Sequence, residues 1–270
     1  TVFIYSLILF ASYIADKFKE MGNALQGLLL LRIIALVFML LDVYFLFKVK
    51  EYPNNQDLKT AKISSILMSP FKEKKYLLTV FISCLWSFTA NISGPYFIIY
   101  LLKDLGVSYS YLNSINLLNI PVLILLTPVW AKRIQRTSWF GTLALSMGLY
   151  SLSYLGLSFV SSKTMFLFPI FMMVAFVFAP GINLTYSNLP FINIPNFNQT
   201  RYVGFFLTMN SLAALIAVAV GRKFILLTNS FRIILPGIEM QNKQYIFLLS
   251  FMLMLMATIT NIIHSKTCRS

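Results

Sequence analysis

Long apolar runs recur along the whole chain, and Lys and Arg collect in the polar stretches between them. Runs at 25–47, 76–102, 111–131, 139–160, 165–188, 202–227 and 244–263 are each long enough for a helix to cross a bilayer, which takes about 20 residues over ~30 Å of hydrocarbon. A shorter run, 1–15, reads as part of one more. In hydrocarbon every backbone polar group must bond internally, so an apolar run of this length forms a helix. The expected fold is therefore an all-α polytopic membrane protein with seven full spans and one partial one. Composition agrees: charged residues make up 11% of the chain, against roughly 25% in soluble domains. The stretch 75–139 shows the pattern in miniature. Lysines precede one apolar run, a polar turn joins it to a second, and Lys132-Arg133-Ile134-Gln135-Arg136 follows. This is a helical hairpin that crosses a bilayer and returns, both ends on the positively charged side.

The net charge of +14 raises the question of nucleic acid. The cations lie in loops between spans, which is how membrane proteins set their orientation, so no nucleic-acid partner is expected. With the long loop 48–75 placed inside, inner loops hold thirteen Lys and Arg and outer loops hold eight. The expectation is a multi-pass protein of the cell (plasma or inner) membrane, its long loop and C-terminal tail cytoplasmic. Loop 48–75 carries seven lysines and a turn at Pro53. Within it Ile63, Ile66 and Leu67 recur at helical spacing beside Lys59 and Lys62. A short helix on the anionic leaflet and a solvated linker both fit. The last outer loop, counted with the end of the run before it, carries four basic residues, Arg222, Lys223, Arg232 and Lys243, against one acid, Glu239, and its charge has no account in the sequence. Residues 16–20 read as a charged turn and 132–138 as a basic loop. No signal peptide is visible at Thr1, and the first run is expected to be the tail end of something longer.

Soluble catalytic chemistry is not indicated. No Gly-rich phosphate loop, no strand alternation and no Cys/His metal spacing is present. The cysteines Cys84 and Cys268 stand far apart, and the lone histidine, His264, ends the last apolar run, where an interfacial role fits better than a proton relay. Eight acids leave little for acid–base work. No enzyme activity, cofactor or metal is expected.

Polar residues inside spans are informative, because an amide in hydrocarbon must find a partner. Ser83, Ser87 and Asn91 fall at i, i+4 and i+8, followed by Gly94 and Pro95. Asn113, Asn116 and Asn119 share another face, with Pro121 after them. Pro180 and Gly181 precede Asn183 and Ser187, and Thr208 and Ser211 share a face beside Asn210. Single residues of this kind serve interhelical hydrogen bonding. As a set, with Gly/Pro breaks on three helices, they read as the lining of a central cavity. The substrate-cavity candidates are Ser87, Asn91, Asn116, Asn119, Asn183 and Asn210, and the hinge candidates are Gly94, Pro95, Pro180 and Gly181. Arg32 and Asp42 are charges well inside a span. Ten residues apart, they stand about 15 Å from each other on a helix and cannot pair.

These features resemble a bacterial member of the major facilitator superfamily. "SGPYFIIYLLKDLGVSYSYLNSI" (93–115) is similar to its seventh helix, outer loop and eighth helix. "PVWAKRIQRTSWFG" (128–141) resembles its signature loop, G-x-x-x-D-R-x-G-R-R. Ala131 stands for the first Gly, Gln135 for the Asp and Ser138 for the second Gly, while Arg136 is kept. The loss of the acid puts an Asp-based charge lock at this loop in doubt. "SYIADKF" (12–18) and the linker 48–75 resemble the end of helix five and the loop between the two six-helix halves, and "APGINLTYSNLP" (179–190) resembles helix ten.

The resemblance implies a major-facilitator-like bundle covering roughly helices five to twelve. Residues 1–47 would be the last two helices of the first half, 48–75 the cytoplasmic linker, 76–263 the complete second half and 264–270 a cytoplasmic tail. It implies alternating-access transport of a small solute within a bilayer, with a proton or Na+ as coupling ion. It also implies that the four missing helices belong to the parent protein. A truncated, non-transporting membrane remnant or scaffold subunit is the alternative.

Overall fold

The computed structural model describes residues 2–50, 69–195, 199–229, 231, 233–235, 238–240 and 242–267. Nine α-helices are present among them: α1 (Val2–Glu20), α2 (Ala24–Leu46), α3 (Lys74–Ile99), α4 (Tyr109–Leu117), α5 (Asn119–Arg136), α6 (Trp139–Leu157), α7 (Leu167–Asn188), α8 (Gln199–Leu227) and α9 (Asn242–Thr267). Seven segments are long and apolar enough to cross a membrane, as the apolar runs predict. One of them, Tyr109–Arg136, contains both α4 and α5.

Two boundaries and one added element differ from the sequence reading. Residues 16–20 are no turn, since α1 continues to Glu20. The basic stretch after 131 is not a loop either: α5 runs to Arg136 and leaves Thr137 and Ser138 as the turn. In both places Lys and Arg are good helix formers, and cations at a helix C-terminus are favoured by the macrodipole. The third difference is a short antiparallel ribbon, β1 (Ile233–Leu235) with β2 (Ile238–Met240), in the loop before α9. The surface helix considered at 59–68 lies outside the described residues, as does Cys268.

The chain forms two compact units. The first takes residues 1–61 and 107–117. Within it α1 packs on both α2 and α4. The Asp16 carboxylate accepts from the Tyr109 N–H at 2.9 Å and the Ser110 N–H at 2.7 Å. Ser108 Oγ accepts from the Tyr111 N–H at 3.2 Å, so three of the four orphan amides at the start of α4 are bonded to side chains. Asn113 Nδ2 donates to Ser12 Oγ, which donates in turn to the Ile8 carbonyl. The remainder of α2 is bare: Gly27 is its one buried residue.

The second unit takes residues 62–106 and 118–270. Helix α3 packs on α8 and α9, α6 on α7 and α9, and α7 on α5. One apolar cluster gathers Tyr76, Leu143, Met147, Ile182, Phe206 and Met254, and another gathers Ile92, Tyr100, Ala217 and Phe247. Tyrosines tie the helices by backbone carbonyls. Tyr76 donates to Tyr202 O at 2.6 Å and Tyr96 to Val218 O at 2.9 Å, so α3 and α8 are joined at both ends of their contact. Between them Gly221 lets the backbones close, since a Cβ there would strike the Ile92 carbonyl oxygen and the Tyr96 ring. The carbonyls at the end of α6 are covered by other helices: Gln244 donates to Ser158 O and Val160 O, and Tyr100 also donates to Val160 O. Lys243 at the start of α9 pairs with Asp104 in the π turn Tyr100–Asp104. One of the cations that the sequence left unexplained thus has its acid.

Candidate functional site

The densest polar contacts of the second unit centre on Asn210. Facing it from α3 are Ser83 and Ser87, one turn apart, and from α7 Tyr186. The Asn210 side-chain oxygen accepts from Ser83 Oγ at 2.7 Å and from the Tyr186 hydroxyl at 3.0 Å. Its Nδ2 donates to the Phe206 carbonyl at 2.8 Å, and its backbone carbonyl accepts from Ser87 Oγ at 3.0 Å. One turn up α3, Asn91 Nδ2 donates to the Ser87 carbonyl at 2.7 Å. Pro95 follows Asn91 by four residues and carries no N–H, so the Asn91 carbonyl lacks its usual helical donor. Helix α3 nevertheless continues to Ile99, and its irregularity is the wider π turn after it.

Aromatic rings extend this seam. Trp86 stands edge-on to Tyr150 and Tyr186, at centroid separations of 6.0 and 6.4 Å. Tyr150 and Tyr154, a turn apart on α6, stack edge-to-face at 5.6 Å. Ser83, Ser87 and Asn210 are buried, while Trp86, Asn91, Tyr150 and Tyr186 are only partly buried. The result is a satisfied polar base with a partly open aromatic and amide surface above it. Such a surface can stack on a planar or aliphatic solute and exchange hydrogen bonds with it through hydroxyl and amide groups.

Three of the six cavity candidates, Ser87, Asn91 and Asn210, meet here. The other three do not. Asn183 is exposed on α7. Asn116 belongs to the first unit. Asn119 opens α5, with its side-chain oxygen buried and without a hydrogen-bond donor among the described residues. Trp86, Tyr150, Tyr154 and Tyr186 were missed by the sequence reading. The i, i+4 spacing of Tyr150 and Tyr154, and Trp86 beside Ser87, were the signals available.

Of the hinge candidates, Gly94 and Pro95 are exposed, and a Cβ on Gly94 would meet nothing within 4 Å. Gly181 differs, for its Cβ would come to 2.7 Å from the Trp130 ring and 2.9 Å from Ser146 Cβ. Trp130 is fixed there by a bond from Nε1 to the Val177 carbonyl at 3.1 Å. At the signature stretch, Ala131, Gln135 and Arg136 lie on α5, and Ser138 caps α6 by accepting from the Gly141 N–H at 3.0 Å. Arg32 and Asp42 are both exposed on α2, with no ion pair among the described residues. Among the described residues no set of His, Cys, Asp or Glu is placed to hold a metal. No family model, curated protein or solved structure matches the chain.

Proposed function

We propose that this chain is part of a secondary active transporter of the major facilitator type, and that it moves a small solute by alternating access. In this reading α3 to α9 form the second six-helix half, α1 and α2 belong to the first, and the remaining helices are supplied by the parent protein. The observation that carries the reading is the seam of Ser87, Asn91, Trp86, Tyr150 and Tyr186 within the helical bundle. Polar groups that face the interior of a membrane bundle can line a solute pathway. A wall of amides, hydroxyls and rings suits an uncharged or zwitterionic solute, with a proton or Na+ as the coupling ion. The test is uptake by cells expressing the full-length parent, with a panel of such solutes. Asn91→Leu and Tyr186→Phe should depress uptake at unchanged expression, and unchanged uptake in both would remove the seam from the pathway.

A second reading, a non-transporting scaffold or remnant, is favoured by one observation. Every hydrogen-bonding atom of the Asn210 side chain is engaged within the protein, as structural glue would be. Reconstituting this chain alone in vesicles tests the scaffold reading. Solute flux would exclude the scaffold.

A further inference from the structure

Leu125, Val129, Lys132, Arg133 and Arg136 fall on one side of α5, within about a quarter of its circumference. Leu125 and Val129 are 71% and 59% exposed, and the three cations below them are exposed as well. One helix face therefore passes from aliphatic to cationic in about three turns. At its cationic end Val129, Lys132, Arg133, Arg136 and Thr137 line a cavity of about 380 Å³. None of the three cations is within ion-pair distance of a described carboxylate. Gln135, beside them in sequence, is neutral. Lys132 and Arg136 at i, i+4 and Arg133 and Arg136 at i, i+3 are like-charge neighbours that repel each other.

We propose that this face binds one anionic phospholipid. Its phosphate lies among Lys132, Arg133 and Arg136, and an acyl chain runs along Val129 and Leu125. An anion here relieves the repulsion, and the two guanidinium groups can each grip phosphate oxygens in bidentate fashion. The C-terminal carbonyls of α5 oppose an anion through the macrodipole, an effect smaller than three adjacent cations. That opposition is blunted, because the N–H and hydroxyl of Thr137 both donate to the Arg133 carbonyl, at 3.0 and 2.8 Å. The aliphatic strip decides for a lipid over a free phosphate, since inorganic phosphate gains nothing from Val129 and Leu125.

The test uses the full chain in phosphatidylcholine vesicles with trace spin-labelled phosphatidylglycerol, reading the motionally restricted fraction of the label. The label should be retained in preference to spin-labelled phosphatidylcholine. Each of Lys132→Gln, Arg133→Gln and Arg136→Gln should weaken that preference about fivefold, as expected for roughly one basic residue's worth of attraction to an anionic lipid. Arg133→Lys/Arg136→Lys should keep most of it, and inorganic phosphate should displace none. Equal retention of the two lipids by the unaltered chain, or undiminished preference in the triple Gln variant, would overturn the site. Displacement by inorganic phosphate would show a soluble-anion site and overturn the lipid assignment. Should the triple variant not fold, the comparison of lipids on the unaltered chain, with phosphate competition, decides alone.

Discussion

Asn210 shows what a single amide can hold together. Its side chain joins α8 to α3 and α7 through Ser83 and Tyr186. Asn210→Leu leaves both hydroxyls without that acceptor. At the ~0.6 kcal/mol average for interhelical bonds in membranes, the loss should be about 1 kcal/mol, read by detergent-titration unfolding. Asp16 acts on a different kind of partner, the amide end of α4. Burial pushes its carboxyl up, but bonds from the Ser110 hydroxyl and the Ser110 and Tyr109 N–H groups, with Lys19 nearby, outweigh this and hold it below the usual carboxylate range. A lowered folded value means the contribution is fully present above the ordinary carboxylate pKa of about 3.9 and is lost as pH falls through the lowered value. Asp16→Ala should therefore cost about 1 kcal/mol near neutral pH, as loss of a helix cap does, and progressively less on acidification. Stability curves for the two proteins across pH check both the size and the sign. The sequence named Asp16 only as part of a turn, because its acceptor role depends on amides 93 and 94 residues away.

At the scale of elements, two glycines that look alike in sequence do opposite things. Both precede or follow a proline inside a span, at Gly94-Pro95 and Pro180-Gly181. Gly181 is a packing position, where α7 closes on Trp130 of α5 and Ser146 of α6. Gly181→Ala should destabilise by about 1–3 kcal/mol through overpacking, visible as a lower melting temperature in detergent. Gly94→Ala adds a methyl into open space, and the better helix propensity of Ala should leave stability unchanged or raise it by up to about 1 kcal/mol. Helix boundaries were legible to within a few residues where apolar runs met Gly, Pro or Asn. They were misjudged at 16–20 and 132–138, where charge was equated with loop although Lys and Arg extend helices readily.

At the scale of the whole molecule, the expected topology places the turn at 103–108 and the turn at 137–138 on opposite sides of the membrane. In a chain with Cys84 and Cys268 replaced by Ser, Lys103→Cys and Gln135→Cys should react with an impermeant thiol reagent from opposite faces of sealed vesicles. Labelling of both from one face would refute the hairpin. Part of the candidate site was legible, since Ser87, Asn91 and Asn210 were chosen from their burial in apolar runs. The rings around them were not, because the chain has fourteen Tyr, and the i, i+4 spacing of Tyr150 and Tyr154 does not by itself say which rings from other helices meet them.

The number and approximate extent of the spans belonged to the sequence alone. A helix in hydrocarbon closes its backbone bonds within itself, so each apolar run dictates its own structure without reference to any other. Which face of each helix meets a neighbour was decided only by the tertiary structure. Exposed sides here are rich in Leu, Ile and Phe while buried sides mix apolar residues with Ser, Thr and Asn, so the apolar stripe that marks the buried face of a soluble helix is absent. The Ser83–Asn210 bond, spanning 127 residues, is a product of that packing, and no local pattern announces it.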